Sequence, residues 1–182
     1  MISQMARGEA DLKEVFARLF DEHARPLRGY LAGRVGAHTA DDLVAETFLV
    51  ALRRWPSFDP AQATVRAWLY GIATNLLRNH IRQEIRGYRA TARAATTGAQ
   101  EAHDTRAAER VDAENATRSL AAALAALGQQ ERDVLLLTSW AGLAPAEVAV
   151  ATGVPASTVR SQLQRVRQKL RATLAANQGD AR

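Results

Sequence analysis

Apolar side chains recur every three to four residues along three stretches of the first half of the chain, as one face of an α-helix requires. The stretches are Phe16, Phe20, Leu27 and Leu31; Val44, Phe48, Leu52 and Trp55; and Val65, Leu69, Ile72, Leu76 and Leu77. Pro56 is expected to end the second helix, and Thr39 or Asp41 to cap its start. The third helix is predicted to run from about Val65 to about Arg89.

Two shorter apolar stripes in the second half each end at a glycine, a residue typical of helix ends. They are Leu120, Leu124 and Leu127 before Gly128, and Val134, Leu137 and Ala141 before Gly142. No stretch alternates with period two over a useful length, so the predicted fold class is all-α. Because aromatic residues make up only 5% of the chain, we expect two small helical domains with separate alanine- and leucine-rich cores.

The segment 89–114, RATARAATTGAQEAHDTRAAERVDAE, is polar and almost free of large apolar side chains. Such a segment cannot bury enough surface to offset its ordering entropy. It is therefore predicted to be a flexible linker between the two domains. Since alanine favours helix, one long exposed helix is the alternative.

The stretch Gly153 to Arg171 carries five basic residues and no acidic one. Its apolar stripe, on a predicted helix, is Val159, Leu163, Val166, Leu170 and Leu174. Upstream, a short predicted helix places Ala149 four residues before Gly153, and Val159 follows six residues after that glycine. A small residue, a turn glycine and a branched apolar residue at these spacings are typical of a helix–turn–helix unit.

The second helix of such a unit enters the DNA major groove with its first turns at the base edges. An arginine there, such as Arg160, can pair with guanine through two hydrogen bonds, and serine or glutamine is less selective. The basic residues farther along are expected to hold phosphates: Arg165, Arg167, Lys169 and Arg171. The alternative is a solvated amphipathic helix with chance basic residues; the upstream helix and the spacing favour DNA binding.

A tryptophan shares the polar face of the third predicted helix. Trp68 falls on the same side as Asn75, Asn79 and a row of arginines (Arg78, Arg82, Arg86 and Arg89), opposite the apolar stripe. Aromatic rings beside basic residues can stack unpaired bases or unstack a duplex step. The alternative is that Trp68 packs under the preceding loop, WPSFDPAQAT.

Charge and composition narrow the function classes. The chain of 182 residues has a net charge of +5, which suggests an anionic partner such as nucleic acid or a membrane surface. It contains no cysteine, which excludes disulfides and thiolate metal sites. With no apolar signal core and no window of eighteen apolar residues, a cytoplasmic protein is expected, without membrane insertion. The histidines His23, His38, His80 and His103 lack metal-site spacing, so no metal and no cofactor is expected.

Four stretches together carry a family resemblance: LFDEHARPLRGYLAGRV, ADDLVAETFLVALRRWPSFDP, RAWLYGIATNLLRNHIRQ and ERDVLLLTSWAGLAPAEVAVATGVPASTVRSQLQRVRQKLR. The chain resembles the extracytoplasmic-function (ECF, group 4) sigma factors of bacterial RNA polymerase over about 80% of its length. The resemblance implies sigma domain 2 over residues 10–90, a linker over 91–114 and sigma domain 4 over 115–174. It also implies core RNA polymerase and promoter DNA as partners, and an anti-sigma factor that holds the protein inactive.

The resemblance also implies roles for individual residues. The DDLVAETF helix would dock on the polymerase coiled coil through Asp41, Asp42, Glu46 and Phe48. The minus-ten element would be captured, melted and held by Phe58, Asp59, Thr64, Trp68, Asn75, Arg78, Asn79, Arg82 and Arg86. The minus-thirty-five element would be read by Ser157, Thr158, Arg160, Ser161, Gln164, Arg165, Arg167 and Lys169.

Six residues depart from the family pattern. Ala45 stands where glutamine is common, Gly128 replaces a proline, Ala144–Pro145 replaces a serine-led cap, and Ser157 and Gln162 replace a glycine and an arginine. These departures bear on docking strength and promoter preference more than on class.

Three rival functions differ from a sigma factor in what they require. A free-standing helix–turn–helix regulator would not need the acidic docking helix or Trp68 on a basic face. An enzyme would need a nucleophile–base pair, a metal site or a phosphate-binding glycine loop, and the sequence contains none of these motifs. A role at a membrane surface for the arginines from Arg82 to Arg89 would need an apolar insertion face.

Overall fold

The computed structural model describes residues 2–94, 123–124 and 126–179, and every regular element within those ranges is helical. Three helices precede the linker: α1 (Ile2–Val35), α2 (Ala37–Arg54) and α3 (Val65–Ala94). Residues 126–179 contain three more: α4 (Gln129–Ser139), α5 (Pro145–Thr152) and α6 (Ala156–Gly179). The predicted all-α fold class is confirmed.

The predicted start of α2 is wrong. Gly36 adopts a φ of 80° and reverses the chain after α1, so α2 begins at Ala37 and Thr39 and Asp41 lie inside it. The predicted end is confirmed, because the helix stops at Arg54 and a 3-10 turn, Trp55–Ser57, contains Pro56.

The third helix is longer than predicted and continues to Ala94, so the first residues assigned to the linker are helical. The rest of the predicted linker lies outside the described residues.

The inward stripes of α1, α2 and α3 pack together. Leu27, Leu31, Leu69 and Leu77 are fully buried. Phe20 and Leu52 belong to the same sequence stripes but remain 48% and 41% exposed. Phe20 contacts Phe48 with ring centroids 4.9 Å apart and lines an open groove between α1 and α2, which explains its exposure.

The expectation of two separate cores is wrong. The main buried cluster joins the N-terminal helices to Val134, Leu137, Val148 and Val159 of the C-terminal helices. A smaller cluster within the C-terminal helices contains Leu127, Leu135 and Val166. The two halves meet where α3 packs against α5. Burying the apolar faces of the two halves against each other removes more apolar surface from water than two separate cores would.

Candidate nucleic-acid interface

The polar face of α3 is solvent-exposed along most of its length. Asn75, Asn79, Arg82 and Arg86 are exposed, whereas Arg78 is only partly exposed. The arginine side chains lie along the helix: Arg82 Nε donates to the Arg78 carbonyl at 3.3 Å, and Arg86 Nε donates to the Arg82 carbonyl at 3.2 Å. Arg82 also donates from Nη2 to Asn79 Oδ1 at 2.5 Å. This face therefore presents a row of arginines whose side chains are partly tied to the helix itself.

Trp68 belongs to an aromatic cluster below the loop that precedes α3. Its ring centroid lies 4.8 Å from that of Phe58 and 6.1 Å from that of Trp55. Trp55 in turn stacks on Phe58 at 5.4 Å and meets Phe16 edge-on at 5.2 Å. Trp68 therefore packs against the preceding loop, which was the alternative to a role in stacking bases. Its ring is only half-buried and also lines a groove of about 260 Å³ beside Asn75.

The loop 58–64 is held by its own polar side chains. Asp59 accepts hydrogen bonds from the Ala61 backbone N–H at 2.9 Å and from Gln62 Nε2 at 2.8 Å. Thr64 caps α3, because its hydroxyl accepts the Ala67 N–H at 3.1 Å. The loop therefore has a defined shape before any ligand binds.

The C-terminal half covers part of this same face. Arg78 Nε donates to Asp133 of α4 at 2.7 Å, and the Thr64 hydroxyl donates to Glu147 of α5 at 3.0 Å. Arg66 donates to the backbone carbonyl of Ala141. Arg78 and Thr64, which the family resemblance assigns to DNA, thus form hydrogen bonds with side chains of the C-terminal half.

Sequence reasoning missed Asp133, the one acidic residue among the described residues that is buried. It is fully buried and also accepts a hydrogen bond from Arg34 Nη1 of α1 at 2.5 Å. The available signal was its place directly before Val134 and one turn before Leu137, at the edge of a buried stripe. An acidic residue at such a position requires a buried cationic partner.

The second candidate surface, on α6, is open to solvent. Arg160, Ser161, Gln164 and the other predicted base- or phosphate-contacting residues are exposed: Ser157, Arg165, Arg167 and Lys169. Thr158 is half-buried, and its carbonyl accepts the Ser161 hydroxyl at 3.0 Å. The inward stripe of Val159, Leu163 and Val166 is buried as predicted.

The turn before α6 has the geometry that the spacing predicted. Gly153 adopts a left-handed conformation with φ 70°, and its N–H donates to the Ala149 carbonyl at 2.9 Å. Val154 N–H donates to the same carbonyl at 3.2 Å. This turn sends α6 away from α5 with its exposed face outward.

Glutamates replace the missing caps at two departures from the family pattern. Glu147 accepts the N–H of Ala144 at 3.0 Å, and Glu131 accepts the N–H of Gly128 at 3.1 Å. Glu131 also accepts Lys169 Nζ at 2.7 Å. These hydrogen bonds lower the pKa of Glu131 below its usual range, and the bond from Lys169 has a larger effect than the bond from the Gly128 N–H.

A third departure, Gln162, leaves a polar group in the interior. Gln162 is 9% exposed, and its Oε1 has no hydrogen-bond partner among the residues that the structure describes. The unpaired amide oxygen carries a desolvation cost at this position.

The acidic residues of α2 form an exposed patch. A hydrogen bond from Arg28 Nε at 2.5 Å holds the pKa of Asp41 below its usual range. Asp42 and Glu46 are exposed. Phe48, assigned to the same docking surface, is instead buried against Phe20, because it lies on the inward stripe of α2.

The described residues contain neither a metal site nor a membrane-spanning helix. No group of three or more histidines and carboxylates there has the geometry to hold a metal ion. None of the helices within the same ranges is long and apolar enough to cross a membrane.

The chain matches two regions of one protein family. Residues 19–87 match sigma-70 region 2, and residues 117–170 match sigma-70 region 4. It is also 34% identical over 171 residues to the probable RNA polymerase sigma-C factor of Mycobacterium bovis, covering 91% of this chain and 84% of that one. The chain belongs to the ECF sigma factors.

Further relatives agree with this membership. The sigma factor is 31% identical to ECF sigma factor SigL of Mycobacterium tuberculosis, covering 95% of this chain and 94% of the relative. Among solved structures it is similar to CnrH in complex with the cytosolic domain of CnrY, with TM-score 0.63, 26% identity and 90% of each chain covered. Bartonella quintana RpoE, in complex with the anti-sigma factor NepR, shares the fold at TM-score 0.64 and 20% identity, covering 89% and 98% of the two chains.

Membership decides between the function classes left open by the sequence. The sigma factor binds core RNA polymerase and directs promoter-specific transcription initiation. A free-standing helix–turn–helix regulator is not favoured, because the region 2 match occupies most of the N-terminal half.

Proposed function

We propose that this sigma factor divides initiation between its two halves. Domain 2, residues 10–90, docks on core RNA polymerase and reads and melts the minus-ten element. Domain 4, residues 115–174, reads the minus-thirty-five element, and residues 91–114 link the two. The observation that carries this assignment is that each half presents an exposed polar helix face, on α3 and on α6, within its own family match.

The acidic patch on α2 docks on the polymerase through Asp41, Asp42 and Glu46. All three carboxylates are exposed, which supports a direct electrostatic contact. Phe48 supports this surface from below, since its ring is buried. Ala45 is exposed at the centre of the patch and leaves it smaller than a glutamine would.

The face of α3 holds the minus-ten element. Asn75, Asn79, Arg82 and Arg86 contact the strand and its phosphates, and Arg78 joins them once Asp133 releases it. The loop with Phe58, Asp59 and Thr64 captures an unstacked base, and Trp68 wedges the open step. Flipping a base costs a few kcal/mol, which binding can supply. The proposed function therefore includes no catalytic step and no cofactor.

The exposed face of α6 reads the minus-thirty-five element. Arg160 contacts a base edge in the major groove, with Ser157, Thr158, Ser161 and Gln164 beside it. Arg165, Arg167 and Lys169 hold phosphates. Lys169 would have to exchange its Glu131 partner for a phosphate, whereas Arg167 is exposed on the outer side of the helix.

An anti-sigma factor is the inhibitory partner we propose, and the cytoplasm is the proposed compartment. The proposal of this partner is supported by the similar protein RpoE, whose structure was solved in complex with the anti-sigma factor NepR. The compartment follows from the function, since a promoter-reading subunit must meet core polymerase and DNA.

Binding to core polymerase is the experiment that tests the docking surface. The purified protein is mixed with core RNA polymerase that lacks any sigma factor and passed over a size-exclusion column. We expect stoichiometric co-elution, and the exposed-patch variant Asp42→Lys should lower the co-eluting fraction by roughly tenfold. Asp11→Lys, a charge reversal at an exposed position on α1, is the matched control and should co-elute fully.

Two results would contradict the proposal. Failure of the folded parent protein to co-elute with its cognate core would remove the polymerase-docking role. Equal co-elution of Asp42→Lys and Asp11→Lys would mean that the acidic patch on α2 is not the docking surface.

A further inference from the structure

One carboxylate of the C-terminal half faces the basic side of α6. Glu131, in the first turn of α4, accepts hydrogen bonds from Lys169 Nζ on both oxygens, at 2.7 Å for Oε1 and 3.0 Å for Oε2. Arg165, one turn before Lys169 on the same side of α6, also attracts this carboxylate electrostatically. Two of the three cations that the proposed function assigns to minus-thirty-five phosphates therefore interact with an anion of the protein itself.

The packing of α4 on α6 fixes this ion pair. Leu135, one turn after Glu131, is buried in one small cluster with Val166. Leu170, the neighbour of Lys169, packs against the same cluster. The Glu131 side chain is 19% exposed, whereas that of Lys169 is 54% exposed. The pair therefore lies at the edge of the small core, with a carboxylate that is largely shielded from water and an ammonium group that still reaches solvent.

The position of the Glu131 carboxylate follows from a departure from the family pattern. Gly128 stands where proline is common, and its N–H donates to Glu131 Oε2 at 3.1 Å. A proline there would have no N–H to donate. The capping hydrogen bond holds the carboxylate at the start of α4, where Lys169 reaches it.

We propose that Glu131 attenuates binding to the minus-thirty-five element by occupying Lys169 in place of a DNA phosphate. A phosphate must break this ion pair before it gains Lys169, and the freed carboxylate then stands near the DNA backbone and repels it. Arg160 and Arg167, which are exposed and form no ion pair within the described ranges, contact DNA without this cost. The inference rests on the proposed function of α6, since it requires that this helix contacts DNA.

The attenuation acts on every DNA sequence alike. A phosphate carries no information about its base, so the loss of one phosphate contact weakens all duplexes equally and leaves discrimination to Arg160. Binding through fewer phosphates also depends less on salt, by a slope of about 0.9 per phosphate. The salt dependence therefore distinguishes a role of Glu131 in DNA binding from a purely structural role in the cap of α4.

The test is a double-mutant cycle in the holoenzyme formed from the full chain and core polymerase. The parent, Glu131→Gln, Lys169→Gln and the double variant are titrated with a promoter duplex at several salt concentrations. Glutamine keeps an oxygen that can accept the Gly128 N–H, so the cap of α4 is retained. Glu131→Gln should tighten binding by roughly threefold to tenfold and steepen the salt dependence by about 0.9, as one added phosphate contact requires.

The other variants identify the partner of Glu131 and control for charge. Lys169→Gln should change the affinity of the parent by less than about twofold, but it should remove the gain in affinity that Glu131→Gln produces. Glu14→Gln removes one negative charge from an exposed position on α1. Its affinity and salt dependence should equal those of the parent.

Three results would overturn the attenuation: binding by Glu131→Gln that is no tighter than that of the parent, an unchanged salt dependence, or a gain that survives in the double variant. If circular dichroism shows that Glu131→Gln loses helix, Lys169→Gln and Arg167→Gln decide in the parent background. Lys169→Gln should then lower the affinity less than Arg167→Gln, and an equal loss in both would mean that Lys169 is not occupied by a carboxylate.

The same titration separates the attenuation from the proposed function of α6. A duplex with a substituted minus-thirty-five element is included beside the promoter duplex. If the parent holoenzyme binds both duplexes equally, the assignment of α6 to this element fails. If it prefers the promoter duplex and Glu131→Gln behaves like the parent, only the attenuation fails.

Discussion

The two candidate DNA faces of this sigma factor differ in how the rest of the molecule treats them. On α6, Arg160 and its neighbours are exposed, on a helix whose inner stripe is buried and whose Lys169 pairs with Glu131 of α4. On α3, Arg78 is paired with a fully buried carboxylate from the other half, and Thr64 at the start of the helix is bonded to Glu147. Arg160 and Arg78 thus differ in their surroundings: the first is exposed to solvent, and the second is held by a partner in the other half of the molecule.

The difference shows that an arginine can serve stability or recognition depending on its partner. Arg78 contributes to the fold because its charge offsets that of a desolvated carboxylate. Arg160 has no described ion pair and leaves its donors available to a base.

The largest effect is expected on stability. Arg78→Ala leaves the buried Asp133 with Arg34 alone, so the free energy of unfolding should fall by about 3 kcal/mol. Arg160→Ala changes an exposed side chain and should alter the same quantity by no more than about 0.5 kcal/mol. Urea denaturation followed by circular dichroism measures both variants. Similar values for the two would mean that the ion pairs of Asp133 do not stabilise the fold.

Discrimination between promoter sequences is expected to depend on Arg160, although this residue contributes little to stability. Arg160→Ala should reduce the preference of the holoenzyme for its minus-thirty-five sequence by roughly 1–3 kcal/mol, because a bidentate base contact is lost. Competition binding against promoter variants measures the preference. Arg167→Ala is the control: it should weaken binding to all variants alike and lower the salt dependence by about one phosphate. Unchanged discrimination in Arg160→Ala would remove its base-reading role.

The smallest effect is expected for Trp68, whose ring either packs in the aromatic cluster or also stacks on an unpaired base. Trp68→Ala should reduce promoter opening more than closed-complex binding, by roughly 1–2 kcal/mol for one lost base stack. Trp55→Ala removes a ring from the same cluster and serves as the packing control. Permanganate reactivity measures opening, and gel shift measures binding. Equal losses of opening and binding in both variants would assign Trp68 to packing alone.

Local pattern predicted much of this structure. The apolar stripes that begin at Val44 and Val159 placed α2 and α6, and the spacing of Ala149 and Gly153 anticipated the left-handed turn with φ 70°. Period and turn geometry depend on neighbours within a few residues, so a sequence carries them directly. The start of α2 was missed because Asp41 suits a cap equally well, but in the structure it pairs with Arg28 one helix away.

What the sequence determined by itself was the helices, the helix–turn–helix, the basic faces and the family. Only the tertiary structure decided that the main core joins both halves, that Asp133 lies between Arg34 and Arg78, and that the two candidate DNA faces differ in availability. The physical reason is separation along the chain. Arg34 and Asp133 are 99 residues apart, and no local periodicity encodes which helix will supply the partner of a buried charge.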